Sequence, residues 1–421
     1  MAYNKKYEHL FLFGGDMRTI LHSDCNNFYA SVECVFAPEL RGKPIAVCGD
    51  PAKRHGIVLA KSEAAKKYGV RTGEAVWIAK QKCPDLIILP PCGEKYLRFS
   101  RMMRDIYAQY SDRVEAFGLD ESWLDVSESD MDGIEIASIL RRRAREELGI
   151  TISVGVSFNK VFAKLGSDMH KPDATTVISA RNYREKIWPL PASDLLFIGR
   201  STAGALHANG LYTIGDIARS DPASLHIMLG KSGDMLYKFA SGKDDTPVLP
   251  FHAADGVKSI GNSTTPAFDI CDATDAQRIL YTLCDSVAER MRKQKVRCRT
   301  VTLWLRDTTF KSATHQMKLP QPTNLSADLI RASMQLLRES WHEERPLRSL
   351  GVQGCDLTEA QDAEQLSILA DPWTQRHDVL EKVIDQMHAR FGERSLYRGT
   401  ALKGPCTQNV KASVSAGGHA S

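Results

Sequence analysis

The chain has 421 residues, 43% hydrophobic and 25% charged, which reads as soluble and globular and is too long for one ordinary core. No apolar run reaches the roughly 18 residues of a membrane span, and Leu10-Phe11-Leu12-Phe13 is too short for a signal-peptide core. Ten cysteines without a C-x-x-C pair support neither a zinc site nor a disulfide frame and predict a reduced, cytoplasmic protein, and a net charge of +4 argues only weakly for nucleic acid.

Residues 1–16 read as an extension before the first strand, which runs from Ile20 to Asp24 and enters a turn at Cys25-Asn26-Asn27. A helical stretch from Phe28 to Val35 stops before Pro38. Short apolar runs bounded by Gly and Pro predict strands at 45–48, 57–60 and 86–89, with Ser62 capping a short helix that ends at Gly69. Tyr96, Phe99, Met103, Ile106 and Tyr110 recur at helical spacing. Residues 114–126 read as two strands meeting near Asp120, followed by a helix over 134–148 stopped by Gly149 and a strand at 152–156. The order predicts a βαββαβ sheet with its helices on one face and the segment 38–80 inserted. After Trp188 the pattern becomes helix, glycine-containing hairpin and helix around Gly199 and Gly210. Gly, Asp and Pro then cluster as a linker, and 259–357 alternates strands and amphipathic helices as a separate α+β domain. The tail 403–421 is poor in apolar residues and is expected to be disordered.

The chemistry centres on Asp24, at the end of its strand, and on Asp120-Glu121. Carboxylates beside strand-like apolar runs are costly to bury unless a cation meets them. A pair of Mg²⁺ ions would do so, and would clamp the attacking and leaving oxygens of a phosphoryl transfer. Adjacent acids on a flat strand point to opposite faces, whereas at a hairpin turn both converge and Asp24 joins them. The competing reading is surface turn acids. Cys25 to Tyr29 offer backbone N–H groups at a helix start, a cradle for a triphosphate. Phe28 reads equally well as a core aromatic. Lys66 and Lys67 read as phosphate ligands or as a solvated face, and one phosphate lysine is expected among Lys160, Lys164 and Lys171. The hairpin near Gly199 and Gly210 presents N–H groups to a phosphodiester or is a plain helix-turn-helix core. Arg290, Arg292, Lys293, Lys295, Arg297, Arg299 and Arg306 crowd one stretch. It ends in an alternating strand whose polar face is either a phosphate-tracking surface or an ordinary exposed one.

Together these segments resemble the Y-family DNA polymerases, the translesion enzymes, and most closely the DNA polymerase IV (DinB) branch, from about Arg18 to Gly399. The specific pieces are His22-Ser23-Asp24-Cys25-Asn26-Asn27-Phe28-Tyr29-Ala30-Ser31-Val32-Glu33 and Leu119-Asp120-Glu121-Ser122-Trp123-Leu124-Asp125. Gly155-Val156-Ser157-Phe158-Asn159-Lys160 and Ser167-Asp168-Met169-His170-Lys171-Pro172 follow in the family's order.

The resemblance implies an α+β multidomain right hand. Its palm is residues 17–37 and 81–188, its fingers 38–80 and its helix-hairpin-helix thumb 189–245. A linker at 246–257 leads to a little-finger domain at 258–360, and residues 361–402 hold a clamp-binding peptide and a C-terminal helix. It also implies that Asp24, Asp120 and Glu121 are the catalytic acids and, with the carbonyl of Cys25, bind two Mg²⁺. Asn26, Asn27, Phe28, Tyr29, Lys66 and Lys171 would bind the nucleotide, Tyr29 serving as steric gate against a ribose 2′-hydroxyl. Gln365, Leu366, Ile368 and Leu369 resemble the peptide that docks bacterial polymerases on the sliding clamp. Many relatives carry Tyr and Arg where this chain has Glu63 and Lys66, which loses a phenol donor and a bidentate fork. The fingers around Gly73-Glu74-Ala75-Val76-Trp77 are also similar to the UmuC-like branch.

The implied function is template-directed, error-prone DNA synthesis across damage. The substrates are primer-template DNA and deoxynucleoside triphosphates, without proofreading and as a monomer away from membranes. The rivals are a nucleotidyl cyclase, which shares such a palm but does not need the hairpin or basic domain, and a catalytically silent DNA-binding relative.

Overall fold

Residues 20–25 are buried without interruption, as a strand covered on both faces requires. In the computed structural model, which describes residues 18–50, 56–251, 257–359, 372–392, 395, 396 and 399, this run is strand β1 (Ile20–Cys25). Next come α1 (Phe28–Phe36), β2 (Ile45–Cys48), β3 (Val58–Lys61), α2 (Glu63–Lys67), α3 (Val76–Lys82) and β4 (Ile87–Leu89). The chain continues through α4 (Gly93–Tyr107), β5 (Val114–Phe117), β6 (Glu121–Asp125), α5 (Gly133–Leu148), β7 (Ile152–Ser157), α6 (Lys160–Met169) and β8 (Thr175–Val177).

The predicted βαββαβ order holds, in a five-stranded sheet ordered β5-β6-β1-β7-β8. Its last member, β8, pairs parallel to β7 and had no sequence signal beyond Thr175-Thr176-Val177. The expectation of helices on one face is corrected. Leu21, Leu124, Val154 and Val156 pack with Met103, Ile136 and Leu140 of α4 and α5, whereas Ile20 and Trp123 pack with Ala163 of α6. Helix α6 therefore covers the opposite face. Gly155 permits this, because a Cβ there would lie 1.9 Å from the Ala163 carbonyl oxygen. Period-2 alternation within β1 thus sends Leu21, Ser23 and Cys25 to one side and Ile20, His22 and Asp24 to the α6 side.

The inserted segment folds on a three-stranded sheet ordered β3-β2-β4. Ser62 caps α2 as expected, accepting the Ala65 N–H at 3.2 Å. Strand β4 pairs parallel with β2, so the small sheet extends to Leu89, while Ile87 and Leu89 also pack against the core of the five-stranded sheet. Beyond the sheet lie α7 (Tyr183–Ile187), α8 (Arg200–Ala208), α9 (Ile214–Arg219), α10 (Pro222–Leu229) and α11 (Lys231–Ala240). Helices α8 and α9 flank the predicted hairpin, where Gly210 adopts φ +76 and Thr213 and Asp216 form a capping box. The stretch read as a linker is half structural. Val248 is buried with Ile20 and Trp123, Leu249 N–H donates to Glu115 at 3.0 Å, and Arg18 donates to the carbonyls of Asp244, Asp245 and Thr246. Two apolar anchors, Val248 and Phe251, outweigh the Gly/Asp/Pro composition around them.

A separate compact unit begins at Val257. It contains β9 (Ser259–Thr264), α12 (Ala273–Lys293), β10 (Val296–Asp307), β11 (Ser312–Thr323), α13 (Ser326–Ser340), β12 (Leu347–Glu359) and α14 (Pro372–Phe391). The sheet order β11-β10-β12-β9 is antiparallel throughout, with α12 and α13 buried on one face against Val301, Leu303 and Leu305. Thr300, Thr302, Trp304 and Arg306 alternate with them, beside Gln316, Lys318, Ser349 and Gln353 on neighbouring strands. The clamp-peptide positions Gln365, Leu366, Ile368 and Leu369, the extension 1–16 and the tail 403–421 lie outside the described residues. Among the described residues no helix is long and apolar enough to cross a membrane.

Candidate active site

The antiparallel register between β1 and β6 sets Asp24 directly opposite Glu121, with His22 opposite Trp123 two pairs inward on the same face. Asp120 occupies the turn before β6, where its carbonyl accepts the Cys25 N–H at 3.0 Å and extends the ladder by one residue. A turn is what lets adjacent acids escape the opposite-face rule of a flat strand. The three acids expected from the sequence are therefore neighbours at one end of the sheet, Asp24 and Glu121 on the face covered by α6 and Asp120 in the adjoining turn.

Burial is the main force on these groups. It pushes the Asp24 carboxyl up to about 7, with Lys171 opposing and Glu121 adding to the rise. Asp120 is raised by the same two causes, burial and Glu121. Burial would raise Glu121 as well, but the His22 and Lys164 contacts outweigh it and hold this acid at about 2. Lys171 Nζ lies 2.6 Å from Asp24 Oδ2 and 2.7 Å from Asp168 Oδ1. Lys164 Nζ pairs with Glu121 Oε2 while lying over the Phe117 ring. His22 is fully buried, its Nδ1 2.8 Å from Ser167 Oγ and its Nε2 3.3 Å from Glu121 Oε2.

Among the described residues, no three His, Cys, Asp or Glu side chains converge closely enough to hold an ion as they stand. The donor set nevertheless fits a hard divalent cation. All three side chains offer oxygens, Mg²⁺ prefers carboxylates over nitrogen or sulfur, and cations already sit on two of the acids. The Cys25 thiol is buried in the core and its pKa lies well above the usual value because of that burial, which leaves its backbone to face the site.

The expected nucleotide residues divide into three groups. Tyr29 is half-buried and stacked on Tyr96, with ring centroids 4.1 Å apart and planes within 9°. The Tyr96 hydroxyl donates to Glu33 at 2.8 Å, and Glu33 also pairs with Lys95 at 2.7 Å, so the stack is fixed from behind. Phe28 is core, buried among the α4 aromatics, and contributes only its place at the start of α1. Asn26 is spent internally. Its amide donates to Ser153 at 2.9 Å and accepts the Asp173 N–H at 2.8 Å, and its own N–H donates to the Thr151 carbonyl. Asn27, in the left-handed region at φ 50, donates to Glu63 at 3.0 Å.

Glu63 in turn lies 3.6 Å from Lys66, both largely exposed. The two positions that depart from the family pattern are thus paired with each other. Lys160 is structural: it chelates both Glu115 oxygens at 2.7 Å and lies over Trp123. Sequence reasoning missed His22 and Tyr96 as parts of the site, and weighed Lys164 only as a phosphate lysine. Spacing alone held one usable signal, since Lys164 and Lys171 both follow β7, but nothing said which acid either would meet.

The basic stretch is partly neutralised. Arg290 donates to the Gly261 carbonyl at 2.7 Å, Lys293 pairs with Glu289 at 2.6 Å, and Arg292 binds Glu381 and Asp385 of α14. Arg299 is exposed, and Arg306 lies over the Trp304 ring on the polar sheet face.

Comparison with known proteins agrees along most of the chain. Residues 23–168 match the model of the impB/mucB/samB family, and residues 257–368 match that of its C-terminal domain. A protein called DNA polymerase IV from Acetivibrio thermocellus is 46% identical over 92% of this chain and 98% of its own length. The protein called DNA polymerase IV 1 from Bacillus subtilis is 33% identical over 92% of this chain and 94% of its own. Among solved structures, a Y-family DNA polymerase chimera superposes with a TM-score of 0.72 at 24% identity, covering 81% of this chain and 99% of that one.

Proposed function

The chain belongs to the impB/mucB/samB family, the Y-family DNA polymerases, and from that premise we propose how its residues carry out translesion DNA synthesis. It is a DNA-directed DNA polymerase acting on primer-template DNA and deoxynucleoside triphosphates. The observation that carries the residue assignment is the β1–β6 register, which sets Asp24 opposite Glu121 with Asp120 in the adjoining turn.

Asp24, Asp120, Glu121 and the Cys25 carbonyl would hold two Mg²⁺, which supply charge neutralisation at the attacking and leaving oxygens when bound. The protein's own groups do the rest. The first-turn N–H groups of α1, at Phe28 and Tyr29, have no partner inside the helix and point toward an anionic triphosphate. Lys171, held between Asp24 and Asp168, is the cation that meets those phosphates, and Lys66 adds a second at longer reach. Tyr29, fixed against Tyr96, excludes a ribose 2′-hydroxyl by contact.

The thumb hairpin and the polar face with Trp304 and Arg306 track the DNA backbone without reading its sequence. Error-prone synthesis without proofreading belongs to this reading. A nucleotidyl cyclase would need neither hairpin nor basic domain, yet polymerase relatives align across 92% of the chain. Clamp docking through Gln365, Leu366, Ile368 and Leu369, a monomeric state and a cytoplasmic location belong to this reading.

The test is primer extension with Mg²⁺ on an undamaged template and on one carrying a lesion. The wild type extends both, Asp120→Ala drops extension by about a thousandfold or more while still binding primer-template, and Tyr29→Ala incorporates ribonucleotides. Extension by Asp120→Ala at the wild-type rate removes the metal assignment.

A further inference from the structure

His22 is a buried polar side chain on the same face of β1 as Asp24, and the reaction as described does not use it. It is fully buried, and its Nε2 lacks a well-formed hydrogen bond although Glu121 Oε2 lies 3.3 Å away. On the other side of the ring, Nδ1 lies 2.8 Å from Ser167 Oγ. That hydroxyl has one proton and two candidates for it, Nδ1 and the Lys164 carbonyl at 2.7 Å. If the proton goes to Lys164, Nδ1 must carry the ring's hydrogen and Nε2 turns a lone pair toward a buried carboxylate. If it goes to Nδ1, the hydrogen sits on Nε2 and points at Oε2. The second arrangement trades a neutral hydrogen bond for a charge-assisted one, which is the stronger.

Both contacts on Glu121, from His22 and from Lys164, fall on Oε2. Among the described residues, no hydrogen bond to Oε1 is present. Ion-binding carboxylates are commonly held in this way, with one oxygen restrained from behind and the other presented. We propose that His22 is a positioning residue for Glu121: its Nε2–H, fixed by Ser167, restrains Oε2 so that Oε1 faces the divalent ion. The proposal rests on the metal role of Glu121 given above. Lys164 neutralises the same oxygen, but an ammonium on a flexible stem does not fix its direction.

The two nitrogens can be separated by substitution, because a Gln amide nitrogen mimics Nε2 and an Asn amide nitrogen mimics Nδ1. Mn²⁺ is titrated into the full chain bound to dideoxy-terminated primer-template, and free Mn²⁺ is read by electron paramagnetic resonance. A weaker site in Glu121→Gln than in wild type first establishes that this acid holds the ion, and equal binding there overturns the metal reading itself. His22→Gln should then bind within about threefold of wild type, whereas His22→Asn weakens binding by about 10-fold or more. Primer-template affinity should be unchanged in both.

Equal loss in the Asn and Gln variants, or no loss in either, rejects the positioning role. Should the Asn variant not fold, His22→Phe keeps the ring volume against Trp123 and removes the donor. Weakened Mn²⁺ binding at an unchanged thermal midpoint then supports the proposal, and wild-type binding rejects it.

Discussion

Two of the partly buried ionic clusters among the described residues are built differently. In the C-terminal unit, Arg292 binds both oxygens of Asp385 at 2.6 and 2.7 Å, pairs with Glu381, and donates to the Asn324 carbonyl at 2.9 Å. Glu381 spends its remaining oxygen on the N–H and hydroxyl of Ser326. Four of the five guanidinium N–H donors are used there, through a rigid fork that matches carboxylate geometry. In the palm, two lysines each meet a carboxylate at a single oxygen, Lys171 on Asp24 and Lys164 on Glu121. Point charges on flexible stems leave oxygens over and can be displaced. The first cluster is a fastener for α14; the second holds only Glu121 firmly charged and leaves carboxylate oxygens without a cation.

Breaking the fastener should have the larger effect on folding. Arg292→Met leaves Glu381 buried without its cation and should cost about 3–5 kcal/mol, seen as loss of hydrogen-exchange protection in α14. Mn²⁺ affinity at the palm should not change. If α14 keeps wild-type protection, the cluster is not what holds that helix.

The palm cluster should instead answer to pH. Glu121 falls from an ordinary value of 4.5 to about 2 on folding, so its contribution is complete above about 4.5 and is lost as pH falls toward 2. In chelator, Glu121→Gln should lower stability in urea at pH 7 by at most about 3 kcal/mol, a gap that narrows steadily through that window. A gap that stays constant from pH 6 to pH 3 would mean that the Lys164 and His22 contacts do not stabilise the charged form.

The smallest effect is expected at the exposed pair on the fingers. Glu63→Gln frees Lys66 from its 3.6 Å partner. An exposed pair contributes up to about 1 kcal/mol, so KM for the incoming nucleotide should fall by up to about fivefold with kcat unchanged. An unchanged or higher KM would show that Lys66 does not reach the phosphates.

Much of the fold was legible because the periodicities were strong. Leu21 and Ser23 against Ile20 and His22, and the apolar spacing of α4 and α5, reproduce the predicted elements nearly residue for residue. The missed strand β8 has three residues and is defined by its partner β7. The face covered by α6 was misassigned because its cause is tertiary: Gly155 is an unremarkable glycine in sequence and becomes decisive only when the Ala163 carbonyl arrives against it. Residues 246–251 looked like a linker because composition cannot report that Val248 meets Trp123.

The site divides along the same line. The sequence by itself determined the family and singled out Asp24, Asp120 and Glu121 as the acids expected at the site, since residue types at fixed places in ordered motifs need no coordinates to be read. It also determined that Glu63 and Lys66 depart from the pattern. Only the tertiary structure decided which cation meets which acid, that Asn26 and Lys160 are spent on the scaffold, and that Tyr96 braces Tyr29. It also brought His22 within reach of Glu121 across the sheet. The reason is physical: a residue's chemistry is local, but its partners are set by strand register and helix packing over long separations, 147 residues in the case of Asp24 and Lys171.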